Sequence, residues 1–263
     1  MPEDQHPLIT MASPYNAPLA IAALILIAGS LVLLFFTILA GVTDTTPLNK
    51  TYFLRADTSG ITGARSVTQW TYFYFCGEGN NDCSSARPAP AFGKAWAGGA
   101  SNAPEDIIGS HGGGTTSTHY FYMWRFGWVF FLIALFFETF AFFGAFLACC
   151  GRLGAAISGL LSIVALLFLS AAASLMTAVF VQARNAFQDD GRDASLGRYA
   201  FGFVWGAWAA LFIATILFCL GLRGDRSART TTGGAGFMSR FRRNRSVRSR
   251  RSYDGRRVKD DYS

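Results

Sequence analysis

The sequence is poor in the residues that most often carry out chemistry. Only 15% of its 263 residues are charged, it contains three His and five Cys, and it has no CxxC pair. Zinc sites are built mainly from closely spaced Cys and His, so this composition disfavours a metal centre. The glycines Gly112–Gly114 are not followed by the Gly-Lys-Ser/Thr of a phosphate-binding loop. We therefore expect a protein that is not an enzyme and holds no metal or cofactor.

Charge is missing altogether from long stretches of the chain. Four apolar runs reach about 20 residues, the length that crosses about 30 Å of hydrocarbon. The segment before the first run has two acidic residues and no Lys or Arg, so we expect this run to be retained as an anchor and not cleaved as a signal peptide. The predicted fold class is a membrane all-α bundle of four helices, which span residues 18–40, 126–150, 154–181 and 199–222.

The placement of basic residues predicts the orientation of these spans. After Leu222 there are thirteen Lys or Arg against four Asp, and basic segments remain on the cytoplasmic side. Both chain ends, 1–17 and 223–263, are then cytoplasmic. The two remaining long connections, 41–122 and 182–198, are predicted to be extracellular. We expect a multi-pass protein of the plasma membrane.

Only one cysteine pair lies in the oxidising compartment of this topology. Cys76 and Cys83 fall in the extracellular loop, whereas the other cysteines lie at the inner ends of spans. The residues between the pair, GEGNND, are all turn formers or polar, so a hairpin can bring the two sulfur atoms together. The sequence therefore predicts a Cys76–Cys83 disulfide, whose loop closure contributes about 2.5 kcal/mol.

The same loop carries aromatic residues with strand character. Ser66–Cys76 is predicted as one strand and Thr51–Ala56 as a second, which gives a small disulfide-stapled β-sheet. The aromatics of the first strand, Trp70, Tyr72 and Tyr74, form either the core of the loop or a lateral contact surface. Further along, the Gly-, Ser- and Thr-rich segment Ala97–Tyr120 is expected to be flexible.

Two sites in the chain, one asparagine and one pair of adjacent cysteines, are candidates for covalent modification. Asn49 begins the sequon Asn-Lys-Thr on the predicted outer side, so it is a glycosylation candidate. Cys149 and Cys150 lie at a predicted inner span end, where reversible palmitoylation usually occurs. The alternative for this adjacent pair is two small buried apolar side chains.

Glu138 is the acidic residue closest to the middle of a predicted span. A charge at this depth costs roughly 3 kcal/mol, so such residues are functional candidates by default. Structurally, a protonated or hydrogen-bonded Glu138 would hold helices together. Its candidate partners are the serines of the third span, Ser158, Ser162, Ser170 and Ser174. A proton or ion role is the alternative.

The final segment has too many charges and too few apolar residues to fold. We expect it to contact the anionic inner leaflet, where each basic residue contributes about 1 kcal/mol. The alternative is a tail that only fixes the topology. Because the segment is tethered to a membrane, nucleic acid is not an expected partner. The candidate lipid-contacting residues are Arg240, Arg242, Arg243, Arg245, Arg248, Arg250 and Arg251.

One motif resembles a known family. The stretch ARSVTQWTYFYFCG, from Ala64 to Gly77, followed by Cys83 and PAPAFGKAW, is similar to the external-loop motif of the fungal cortical-patch and eisosome tetraspan proteins, which are grouped with the PalI pH-response proteins. The layout is more distantly similar to the claudins. Here the spacing is W-x5-C-x6-C, and the claudin Gly-Leu-Trp is absent.

The resemblance implies a plasma-membrane protein of static cortical microdomains, with roles in regulating endocytosis and in cell-wall integrity. It also implies cytosolic eisosome coat proteins and sphingolipid- or sterol-rich membrane as partners, and homo-oligomers remain open. Within it, Trp70, Tyr72, Tyr74 and Gly77 form the external motif. The alternatives are a PalI-type component of ambient-pH signalling and a channel or transporter-like protein that uses Glu138.

Overall fold

Four long apolar helices dominate the computed structural model, which describes residues 16–43, 45–148 and 152–221. Each of the four is long and apolar enough to cross a membrane. Within such a segment the helix satisfies every backbone polar group internally, as hydrocarbon requires. The helices are α1 (Asn16–Ile38), α2 (Thr118–Ala148), α3 (Arg152–Asp189) and α4 (Arg198–Gly221).

Two helices extend well past the apolar runs that the sequence analysis used to place them. Helix α2 begins at Thr118, eight residues before the predicted span, and α3 continues to Asp189, eight residues beyond its predicted end. An apolar run ends where the chain would leave the hydrocarbon. The helical hydrogen bonds do not end there, because polar residues at either end of the run can continue the helix. The last residues of the predicted loop 41–122 are therefore helical.

A four-stranded antiparallel sheet lies at one end of this bundle. Its strands are β1 (Leu54–Asp57), β2 (Val67–Trp70), β3 (Phe75–Cys76) and β4 (Ala194–Leu196), in the order β3-β2-β1-β4. The first three belong to the long connection between α1 and α2, and β4 belongs to the short connection between α3 and α4. The predicted fold class, a helical bundle with a small disulfide-stapled sheet, is confirmed.

The prediction of one continuous strand from Ser66 to Cys76 is wrong. A tight turn at Thr71–Tyr74 separates β2 from β3, and the two strands pair with each other. The Thr71 backbone N–H donates to the Tyr74 carbonyl at 3.0 Å, and the Tyr74 N–H donates to the Thr71 hydroxyl at 3.1 Å. A threonine side chain that bonds to nearby backbone favours such a turn over a strand.

The segment Ala97–Tyr120, expected to be flexible, is packed against its surroundings. Ala100, Ala103 and Ile107 are buried in it. The Arg192 guanidinium, from the other connection, donates to the carbonyl oxygens of Ser59 and Asn102, both at 2.7 Å. The Gly, Ser and Thr content of this segment predicted flexibility, because composition carries no information about contacts with residues as distant in sequence as Arg192.

The second connection also approaches the first very closely at Gly197. Its N–H donates to the Phe53 carbonyl at 3.1 Å. A Cβ atom at Gly197 would overlap the backbone carbonyl of Tyr52. Only glycine fits between β4 and the start of α4 without moving β1.

Candidate functional site

The cap, defined here as residues 45–117 and 190–197, contains the predicted disulfide, the external motif and the glycosylation candidate. Its disulfide joins Cys76 and Cys83, as predicted. Cys76 belongs to β3, whereas Cys83 follows a 3-10 turn over Glu78–Asn80. Gly77, just inside the bonded loop, donates its N–H to the Asn81 carbonyl at 2.7 Å. The sulfur atoms are therefore joined across a compact turn and not between two paired strands.

Asn80 anchors this disulfide loop to the chain that follows α1. Its side-chain amide donates to the Leu48 carbonyl at 2.7 Å and to the Thr51 carbonyl at 2.9 Å. Its own backbone N–H donates to the Gln69 side-chain oxygen at 2.9 Å. Both Asn80 and Gln69 are buried. The sequence analysis read Asn80 only as a turn former, because a buried role depends on partners far along the chain.

Trp70 lies at the centre of the cap and is fully buried. Its indole N–H donates to the Phe92 carbonyl at 3.1 Å, and the two rings stack with centroids 4.9 Å apart. Edge-on and tilted contacts to Trp96 and to Phe187 of α3 surround the indole. Of the two readings left open by the sequence, the structure places Trp70 in the core.

Tyr72 joins the cap to the bundle. It is fully buried, its hydroxyl donates to the Trp128 carbonyl of α2 at 2.7 Å, and the Trp128 indole donates back to the Tyr72 carbonyl at 3.2 Å. The two rings stack at 5.4 Å. Burial raises the pKa of the Tyr72 phenol well above its ordinary value. The phenol is therefore a neutral donor that fixes one loop residue to one helix.

Tyr74 occupies a different setting, at the junction with α1. It is half-buried, and it lies beside Gly41, which has a φ of +86° in the turn that directly follows α1. A Cβ on Gly41 would lie 3.1 Å from the Tyr74 ring and 3.2 Å from the Cys76 sulfur. The first helix therefore ends directly against the disulfide.

Ion pairs lie on the exposed rim of the sheet. Arg55 of β1 contacts Glu78 at 3.0 Å and Asp193 at 3.3 Å, and Arg65 contacts Asp82 at 2.9 Å. The hydrogen bond that Arg55 donates to the Glu78 carboxylate is the main cause that raises the Arg55 pKa. Their acidic partners are largely exposed, so each pair adds little stability.

Asn49, the glycosylation candidate, lies in a short 3-10 turn over Leu48–Lys50 and is half-buried. The Thr46 hydroxyl donates to its side-chain oxygen at 3.3 Å. The sequon threonine, Thr51, is buried and donates its hydroxyl to the Pro47 carbonyl at 2.9 Å. The turn is held to the disulfide loop through Asn80, so a glycan on Asn49 would project from the cap.

An open groove of about 470 Å³ lies where α2 and α3 enter the cap. His119 and Gln182 meet across it at 2.6 Å, with Asp106 and Asp189 nearby. Among the described residues, His, Cys, Asp and Glu form no group of three that could hold a metal ion. The groove has the polar character of a solvated helix junction.

Glu138 is fully buried between the helices. Neither of its carboxyl oxygens has a hydrogen-bond partner within the described part of the chain. The serines expected to bond it do not: Ser158 donates to the Gly154 carbonyl, Ser170 donates to the Leu166 carbonyl, and Ser174 is exposed. Ser162 is buried and equally without a partner among these residues. Ser30 of α1 lies close enough to influence the carboxyl, a proximity that the sequence analysis missed.

Two groups of predicted site residues lie outside the described residues. These are the palmitoylation candidates Cys149 and Cys150, and the basic tail from Arg240 to Arg251. Both sets of roles remain predictions.

Comparison with known proteins identifies relatives over most of the chain. The family model described as the SUR7/PalI family matches residues 19–217. Protein SUR7 of Candida albicans is 36% identical over 200 residues, which cover 75% of this chain and 72% of that protein. Protein SUR7 of Saccharomyces cerevisiae is 32% identical over 216 residues, covering 80% of this chain and 68% of that protein.

A further relative carries a location in its name. It is the uncharacterized plasma membrane protein YNL194C of Saccharomyces cerevisiae, 32% identical over 204 residues, which cover 73% of this chain and 64% of that protein. None of these names denotes an enzyme. The family match runs from within α1 to within α4 and includes every strand, and it confirms the resemblance inferred from the loop motif. The chain belongs to the SUR7/PalI family and is a SUR7-type membrane protein.

Proposed function

We propose that this protein is a non-catalytic tetraspan scaffold that organises static microdomains of the plasma membrane, with effects on endocytosis and cell-wall integrity. The observation that carries the proposal is the construction of the cap. Both connections at one end of the bundle contribute strands to a single sheet, and a disulfide fixes the turn that follows β3. A scaffold needs a surface of fixed shape, and this construction supplies one.

The cap is also held rigidly to the helices beneath it. Tyr72 and Trp128 exchange two hydrogen bonds, and Trp70 packs against Phe187 of α3. A lateral contact made by the cap is therefore transmitted to the spans without an intervening flexible loop. This arrangement supports organising neighbours in the membrane plane more than it supports catalysis.

We further propose that the cap is extracellular and that both chain ends are cytoplasmic. A disulfide persists in an oxidising compartment, and the basic tail favours the opposite side. The tail then contacts anionic lipid of the inner leaflet or cytosolic coat proteins, and Cys149 and Cys150 are candidates for acylation. Sphingolipid- or sterol-rich membrane and further copies of the chain are the proposed lateral partners.

Imaging of the fluorescently tagged protein in its own cell tests the proposed function. We expect immobile surface patches whose fluorescence does not recover after bleaching. Deleting Arg240–Lys259 is expected to disperse the patches, whereas Glu138→Gln is expected to leave them in place. Uniform, rapidly recovering surface fluorescence would overturn the scaffold. Patches that persist while Glu138→Gln abolishes an ion flux would favour a channel instead.

Impermeant thiol labelling tests the orientation separately. After mild reduction of intact cells, we expect labelling at Cys76 and Cys83, while Cys219, a free and exposed cysteine at the other end of the bundle, needs permeabilised cells. The reverse pattern would place the cap in the cytoplasm.

A further inference from the structure

Glu138 belongs to a polar cluster inside the bundle, defined here as Ser30, Glu138 and Ser162. All three residues are fully buried, and they come from α1, α2 and α3. Ser30 lies close enough to influence the carboxyl group and also donates to the Ala207 carbonyl of α4 at 3.0 Å. All four helices therefore reach this one place.

The packing of α2 against α3 puts Ser162 at the level of Glu138. A Cβ on Gly144 would lie 2.7 Å from the Ser158 hydroxyl, and one on Gly127 would lie 3.1 Å from the Met176 sulfur. The two helices are antiparallel, and Glu138 lies six residues before Gly144. It is therefore opposite position 164, which lies six residues after Ser158. Glu138 therefore faces α3 between Ser162 and Ala165.

At this level α2 and α3 face each other with buried residues. In both helices these residues recur every three or four positions, the spacing of one helix face. Apart from the cluster and Ser158, these residues have apolar side chains, which supply no hydrogen bonds. They are Ala134, Glu138, Ala141 and Ala145 on α2, and Ser158, Ser162, Ala165 and Leu169 on α3.

Among the residues that the structure describes, no basic group lies close enough to neutralise an ionised Glu138. Helix α1 has no titratable residue from Pro18 to Ile38. The nearest cation on α2 is Arg125, thirteen residues away, or about 20 Å along the helix. The titratable residues of α3 and α4 lie near the helix ends: Arg152, Arg184, Asp189, Arg198, Tyr199 and Cys219.

An isolated carboxylate in such surroundings is far more costly than a neutral acid, so the group binds a proton instead. We propose that Glu138 is a proton-binding site, held as a neutral carboxylic acid at neutral pH within the polar cluster. The neutral acid has one O–H to donate and a carbonyl oxygen to accept, which matches the two serine hydroxyls around it. The proton then allows a polar contact among three helices without a charge inside the bundle.

Infrared difference spectroscopy of the full chain in phosphatidylcholine nanodiscs tests the site. Between the unchanged protein and Glu138→Gln, we expect loss of one protonated-carboxyl C=O band at neutral pH, a band that shifts in D₂O. Gln is nearly isosteric with the neutral acid and keeps a donor and an acceptor. Loss of carboxylate bands in place of the acid band would overturn the proposal, and would indicate an ionised group with a bound cation.

Chemical labelling of the unchanged protein provides a second measurement, which does not require the Glu138→Gln variant to fold. Dicyclohexylcarbodiimide reacts with protonated carboxyl groups in apolar surroundings, and mass spectrometry locates the adduct. We expect labelling of Glu138 at neutral pH and none at Glu78, whose side chain is 69% exposed. A Glu138 peptide that stays unmodified at neutral pH but becomes modified in the same nanodiscs at acidic pH would show that the reagent reaches the site, and would contradict a neutral acid at neutral pH.

Discussion

The cap and the helix bundle are stabilised in different ways. In the cap, hydrogen bonds between distant segments hold the chain in place, and the N–H donors of Asn80, Trp70 and Arg192 illustrate them. In the bundle, alanine stripes pack helix against helix, while large apolar side chains such as Phe136 and Phe143 point outward, where lipid is expected. Without a hydrophobic driving force between helices in lipid, close packing of small residues takes its place. Single substitutions should therefore affect the cap more than the lipid-facing side of the bundle.

The largest expected difference in stability comes from removing one aromatic ring from the cap and one from the lipid-facing side of the bundle. Trp70→Ala should lower the free energy of unfolding by about 4 kcal/mol, because it leaves a cavity and unpairs the Phe92 carbonyl. Phe140→Ala, at a side chain 52% exposed on α2, should change it by less than about 0.5 kcal/mol. Denaturation of the full chain in mixed micelles measures both. Equal losses would contradict the distinction.

Removing the disulfide should produce the next largest effect. The double variant Cys76→Ser and Cys83→Ser is expected to lose about 2.5 kcal/mol, because the open chain gains entropy when unfolded. The matched control is Cys219→Ser, since Cys219 is free and exposed. Hydrogen exchange should accelerate in β2 and β3 and remain unchanged in α2 and α3. Acceleration throughout the helices would mean that the cap supports the entire bundle.

Arg192→Ala should cost about 2 kcal/mol, because hydrogen bonds from a charged group contribute more than neutral ones. The guanidinium holds Ser59 and Asn102 together, so exchange should accelerate in residues 97–110. Arg192→Lys keeps the charge but not the fork that reaches two carbonyls, and it should recover only part of the loss. The control is Arg198→Ala at an exposed position. Full recovery by lysine would show that charge alone matters.

The smallest effect tests the joint between the regions. Tyr72→Phe keeps the stacked ring but leaves the Trp128 carbonyl without its donor from the cap, which should cost about 1 kcal/mol. Tyr122→Phe, at an exposed tyrosine of α2, should be neutral in the same denaturation experiment. A neutral Tyr72→Phe would indicate that ring stacking alone couples the cap to the helices.

The helices and the disulfide were predicted from two kinds of signal: the local run of apolar residues and the distribution of basic residues along the chain. Unbroken apolar runs identified the helices, and the placement of basic residues selected Cys76 and Cys83 from five cysteines. The break between β2 and β3 was missed because the alternation of aromatic residues continues through Thr71–Tyr74, where one hydroxyl reverses the chain.

The features that could not be predicted are contacts between distant segments. Strand β4 is three residues long, Ala-Ser-Leu, and is a strand only because β1 lies beside it. The contacts of Arg192 and Asn80 likewise join separate parts of the chain. Glu138 was recognised, but its neighbour Ser30 of α1 was missed, because the serines of one span do not show which other spans are adjacent.

Because β1 pairs with β4, the sheet cannot be completed until the end of the chain that carries β4 has been synthesised. Strand β1 leaves the ribosome long before β4, and two complete spans must be threaded between them. Until then, the outer edge of β1 presents unpaired backbone groups. A chain whose third and fourth spans insert with the wrong sidedness has no β4 to cover that edge. The complete four-stranded sheet therefore forms only when both connections lie on the same side of the membrane.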